Sequence, residues 1–200
     1  SWNRFTRPAY IPMAKYQDRD IHQIYMSEGM IRRGDEIWQY FYGQVEYHST
    51  AVRNKAGNAI YRAVQRLDGF VSADSPYERE VTVMTRPFTF DGNHLELNID
   101  TGALGYTLVG ILDEKGKDIP GFESDNCIWI NGNYVTHKVE WLNPDADLSE
   151  VSAQGANEMR YSTVNIDNAT VSGLSSLAGK TIRLQLRMRG TSLYAMQFAK

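Results

Sequence analysis

Cysteine is nearly missing. Cys127 is the single thiol in 200 residues, so no internal disulfide holds this chain, although bridge-free chains also occur outside the cytoplasm. Flanked by the apolar run Ile128-Trp129-Ile130, Cys127 reads as a small buried hydrophobe rather than a nucleophile. Long apolar runs are missing too. None approaches the roughly 20 residues that cross a bilayer, and no charged-then-apolar targeting segment opens the sequence, so the expectation is a soluble polypeptide with no membrane span. Blocks of one charge are also lacking. The 21 basic and 24 acidic side chains are dispersed and sum to −3, which leaves no field to gather a polyanion and removes nucleic acid as an expected partner. No Gly-x-Ser-x-Gly elbow and no glycine-rich loop between strand and helix occurs, so triad hydrolase and phosphate-cradle chemistries have no local support.

What the sequence does contain is extended signal. Almost nothing repeats at helical period, whereas apolar and β-branched segments recur over 21–33, 36–47, 59–73, 80–90, 94–100, 106–113, 127–130, 134–141, 180–190 and 192–198. Turn residues divide them at Gly34-Asp35, Asp91-Gly92-Asn93, Asp113 to Gly116 and Asn131-Gly132-Asn133. Strict alternation puts Ile182, Leu184, Leu186 and Met188 on one face, opposite Arg183, Gln185, Arg187 and Arg189. It likewise puts Leu95, Leu97 and Ile99 inside. Such half-buried antiparallel strands predict an all-β chain built as an antiparallel sandwich, jelly-roll or concanavalin-like. The segment 142–176 is rich in Ser, Ala, Asn and Asp and reads as a long excursion. One short helix is expected around 147–153 and one strand at 161–166. Asn168-Ala169-Thr170 is a formal glycosylation sequon of low specificity.

The aromatic stretch 36–47 poses the functional question. Alternation places Ile37, Gln39, Phe41, Val45 and Tyr47 on one face and Trp38, Tyr40, Tyr42, Gln44, Glu46 and His48 on the other. Rings on both faces are most simply explained by burial between two layers. The competing explanation is a sugar surface, with rings stacking on C–H faces and polar tips fixing hydroxyls. Its candidate contacts are Trp38, Tyr40, Tyr42 and His48, with Trp129 and Tyr134 as a second set. Adjacent Asp35 and Glu36 point to opposite faces and cannot flank one glycosidic bond. Asp35 is better read as a hairpin turn residue. Glu46 with Asp68 is a weaker catalytic alternative, and Asp68 beside Gly69 is a weak cation ligand that would allow a structural calcium. His22, His94 and His137 stand on separate segments without ligand spacing.

Several segments taken together resemble a known architecture. They are 29–43 (GMIRRGDEIWQYFYG), 64–74 (VQRLDGFVSAD), 119–122 (IPGF), 139–141 (VEW) and 177–198 (LAGKTIRLQLRMRGTSLYAMQF). This set resembles the C-terminal part of bacterial glycoside-hydrolase-like proteins related to glycoside hydrolase families 32 and 43, in which a five-bladed β-propeller precedes a β-sandwich. The resemblance implies that 1–60 correspond to the end of a propeller and 61–200 to the appended sandwich. It implies a non-catalytic module that supports a catalytic propeller and binds poly- or oligosaccharide, in a periplasmic or secreted location. Expected partners are then a carbohydrate or an upstream catalytic domain. It carries over no catalytic residue, since those of the family lie in earlier blades. The two alternatives are a glycoside hydrolase in its own right and a structural domain that forms homodimers through the early strands.

Overall fold

The computed structural model describes residues 9–48, 57–143 and 170–200. The helix expected at 147–153, the strand expected at 161–166 and the sequon asparagine Asn168 lie outside the described residues. The chain divides into two compact units, Ser1–Leu67 and Asp68–Lys200. The boundary expected at residue 60 falls inside a strand that pairs along its whole length with the first unit, which is why the division follows Leu67 instead.

The first unit is an antiparallel meander. After the short pair β1 (Lys15–Tyr16) and β2 (Arg19–Asp20) come β3 (Gln23–Met26), β4 (Ile31–Arg33), β5 (Glu36–Gln44) and β6 (Ala59–Arg66). β3 and β4 both pair with β5, at Gln23↔Gln44 through Met26↔Phe41 and at Ile31↔Trp38 through Arg33↔Glu36. The expected strand 21–33 is therefore one ribbon interrupted at 27–30, where Gly29 takes a φ of 85°. Gly34, at φ 59°, and Asp35 close the two-residue hairpin into β5. β6 runs along the other edge of β5.

The second unit carries β7 (Ala73–Asp74), β8 (Val81–Met84), β9 (His94–Asp100), β10 (Tyr106–Asp113), β11 (Asn133–Lys138), β12 (Trp141–Leu142), β13 (Thr170–Val171), β14 (Ile182–Arg189) and β15 (Ser192–Ala199). Two antiparallel sheets, ordered β8-β14-β10 and β7-β15-β9-β11, form the all-β sandwich. Leu95, Leu97 and Ile99 of β9 and Ile182, Leu184, Leu186 and Met188 of β14 are all buried in one core cluster, on the faces that alternation assigns. Trp141, fully buried, donates its indole N–H to the Val109 carbonyl at 2.8 Å and meets Phe122 edge-on.

β10 departs from simple alternation because Thr107 through Leu112 are all buried. Its inner residues Val109 and Ile111 pair with Leu186 and Leu184. The return segment 119–126 pairs along the free edge of β10, where Ile111 donates to Phe122 O at 2.8 Å and Ile119 donates to Ile111 O at 2.9 Å, and folds over its other face at Ser124. Gly110 allows that segment to approach, since a Cβ there would lie 3.0 Å from Ser124 N. The expected strand 127–130 is reduced to isolated bridges at Cys127↔Trp141 and Ile130↔Thr107. Cys127 is buried, and burial pushes its thiol up to about 12, so it stays an unreactive S–H at neutral pH.

Candidate functional site

The aromatic stretch proves to be half open. In β5, Phe41 and Gly43 are buried, whereas Trp38, Tyr40 and Tyr42 are only half-buried. The expectation that water is kept from both faces is thus met only at Phe41 and Gly43, since Ile37, Gln39 and Val45 beside them are half-buried and Tyr47 is exposed, and it is corrected on the other face. Register explains the difference. Val64, Arg62 and Ile60 of β6 lie opposite Trp38, Tyr40 and Tyr42, and Ile60 is 74% exposed, so this face of the meander has no second layer over it.

Arginines and an acid cover Trp38 instead. The guanidinium carbons of Arg62 and Arg33 lie 4.0 Å and 5.1 Å from its ring centroid, and its indole N–H donates to Glu36 Oε2 at 2.7 Å. Cations stacked on an indole leave little ring face for a sugar, so Trp38 belongs to a cation–aromatic cluster. Once the hairpin registers are set, Arg62 falls opposite Tyr40 and Arg33 opposite Glu36, each two residues along β5 from Trp38. His48 is exposed beyond the end of β5. It is the neighbouring Tyr47 that finds a ring partner, stacking on His22 at 4.2 Å.

Glu46 is half-buried, and its Oε1 is closed from solvent without a hydrogen-bond partner, whereas a glycosidase carboxyl must face the scissile bond. Asp68 is exposed, with a left-handed φ of 57° in the turn that follows β6, as Asp tolerates in turns. Among the described residues, no group of three or more His, Cys, Asp or Glu side chains gathers that could hold a metal ion. Nor is any helix among them long and apolar enough to cross a membrane.

The second set of rings lies in the sandwich unit, at the end where loop 101–105 meets turn 129–134. There Ala103, Leu104, Gly105, Trp129 and Asn131 line an open cleft of about 380 Å³. Trp129 packs on Tyr106 with ring centroids 4.3 Å apart. The Asn131 amide donates to Gly105 O at 2.6 Å and reaches Thr101 Oγ1 at 3.4 Å. Gly132 N donates to Thr101 Oγ1 at 2.8 Å. These bonds fix the loop against the turn, so the cleft is preformed. Tyr134 sits beside it, its hydroxyl donating to Asn131 O at 2.9 Å and its ring 4.6 Å from His137. Leu104, 72% exposed, forms an apolar lip. The structure thus brings Trp129 and Tyr134 to one turn, and adds Leu104 and Asn131, which no sequence motif marks.

An ion-pair network supports the Trp129 wall. Tyr106, stacked beneath Trp129, donates its hydroxyl to Glu80 Oε2 at 2.8 Å. Glu80 also receives Arg187 Nε at 2.9 Å, and Arg187 Nη1 reaches Asp125 at 2.6 Å. Hydrogen bonding from Arg187 holds the Glu80 carboxyl below the usual carboxylate range, while burial first, and then Glu80, push the Tyr106 phenol up. Comparison with protein-family models, with curated proteins and with solved structures finds no match for this chain.

Proposed function

We propose that this chain is a non-catalytic β-sandwich module of a glycoside-hydrolase-like protein, which supports a catalytic propeller and binds a poly- or oligosaccharide. The observation that carries the binding role is the preformed cleft in which the Trp129 ring, the Asn131 amide and the Leu104 side chain converge. A ring wall offers a stacking face for the C–H side of a sugar, and the Asn131 Oδ1, held in place by the bonds of its amide nitrogen, can accept from its hydroxyls. The cleft is open, so it suits one or two units of a longer chain. Catalysis within the chain has less support, because the Glu46 Oε1 that it would use is closed from solvent.

The test is calorimetric titration of the chain with a panel of plant and host polysaccharides and oligosaccharides. Binding by at least one of them, weakened roughly tenfold or more by Trp129→Ala through loss of a buried aromatic contact, is the expected outcome. No heat with any glycan at millimolar sugar removes the binding role. A second reading, homodimerisation through the early strands, is favoured by the uncovered face that carries Tyr25, Ile31, Ile60 and Val64. Light scattering after size exclusion distinguishes it, with a dimer mass that Ile60→Lys reduces to a monomer.

A further inference from the structure

The side of the first unit's sheet opposite Trp38 carries a second open cleft, which the cleft at Trp129 does not explain. The segment Tyr10–Tyr16 crosses this side and leaves a cavity of about 410 Å³ against Phe41, Tyr61 and Gln65, within the range of about 300–1,000 Å³ usual for small-molecule pockets. Its walls are aromatic and held in place. Phe41 and Tyr61 stack at 5.2 Å, Tyr16 packs on both at 5.8 and 5.6 Å, and Tyr16 donates its hydroxyl to Pro12 O at 2.5 Å.

The polar groups on this face are unusual. The Tyr61 hydroxyl, Gln65 Nε2 and Gln39 Oε1 are buried and have no hydrogen-bond partner. Register places all three side chains on one face, since Gln39 pairs with Ala63, midway between Tyr61 and Gln65 on β6. Each such orphan costs about 1–3 kcal/mol unless something completes it, and three on one small face is far from the usual satisfaction of buried groups. Together they ask for a donor at Gln39, an acceptor at Gln65 and either at Tyr61. Arg62 contributes to the wall, but its guanidinium is engaged over Trp38 on the opposite face, so among the described lining residues no free charge is presented to a ligand.

We propose that this cavity binds an uncharged, hydroxylated ring of monosaccharide size. Hydroxyls both donate and accept, which the orphaned Tyr61 and Gln65 groups of its lining require, and the C–H faces of such a ring suit Tyr16, Phe41 and Tyr61. This site lies in the first unit and does not depend on the cleft at Trp129, so either can fail alone.

The test is proton–nitrogen NMR of the labelled full chain, titrated with glucose, galactose, mannose and myo-inositol in the tens of millimolar. At least one probe gives saturable shifts of the Gln39 and Gln65 side-chain amide signals. The Gln39 shift vanishes in Gln65→Leu, and both shifts need roughly tenfold more sugar in Tyr61→Phe and persist in Trp129→Ala. Absence of a saturable shift with all four probes, or a Gln39 shift that survives in Gln65→Leu, overturns the proposal. Thermal unfolding supplies a second check. Because each of the two variants removes an unpaired polar group, both melt at or above the parent chain, and melting clearly below it contradicts the assignment of these groups as orphans.

Discussion

At the scale of single residues, the Glu80 carboxylate joins Arg187 to the Tyr106 ring under Trp129. Its folded value lies below the ordinary one because Arg187 hydrogen-bonds the ionised form. A depressed carboxyl contributes stability that is fully present above its unfolded value, near 4, and is lost as pH falls through the folded value. Glu80→Gln is therefore expected to lower stability by about 1–2 kcal/mol at pH 7, since both partners are partly solvated. The difference from the parent chain shrinks toward zero in strong acid. Denaturant titrations of both chains across that pH range check this, and a difference that is constant with pH contradicts the assignment. Much at this scale was legible beforehand. Cys127 reads as buried from its apolar neighbours, and Asp35 as a hairpin turn residue beside Gly34. The partners of Trp38 were not legible, because a cation–aromatic contact between strands depends on which residues lie opposite, and that follows only once the hairpin register is set.

At the scale of elements, alternation identified the inner faces of β9 and β14 and the Gly34-Asp35 hairpin. The expected burial of both faces failed on β5, and β10 departs from simple alternation, for the same physical reason. A period of two separates one face from the other and does not say which face gains a cover. β10 is buried on both sides because the return segment 119–126 folds over its second face at Ser124, whereas β5 has rings on both sides and a cover on only one. The expected strand 127–130 shrank to two bridges because the chain there leaves one sheet pairing for another, at Ile130↔Thr107 and Cys127↔Trp141. Gly105, at the lip of the cleft, offers an element-scale test. A Cβ at this position would come closer than 3.0 Å to the carbonyl oxygens of Thr101, Arg189 and Gly190, which are backbone atoms and cannot turn aside. Gly105→Ala is expected to cost about 1–3 kcal/mol and to distort the 101–105 loop. Thermal unfolding reads the loss, and an unchanged melting temperature contradicts the packing described.

At the scale of the molecule, the core cluster lies entirely within the second unit, from Phe90 to Met188 among its fully buried members. A domain that owns its core is expected to fold without its neighbour. Residues 68–200 expressed alone should therefore give a cooperative unfolding transition and dispersed amide signals. A collapsed spectrum without cooperative melting contradicts the division after Leu67. This division was visible only approximately in the sequence, because 59–66 carries the same strand signals whether it pairs backward or forward. The cleft residues Leu104 and Asn131 were not visible at all, since an exposed leucine and a turn asparagine gain meaning only when two distant loops meet.

The reading of the chain as a carbohydrate-binding module rests most on the Trp129 cleft, and mapping by NMR tests that most directly. Titration of the labelled chain with a soluble oligosaccharide that it binds should shift the Trp129 indole and Asn131 side-chain amide signals first, with the loop 101–105 following. Shifts confined to other surfaces, or none with any glycan, would contradict it.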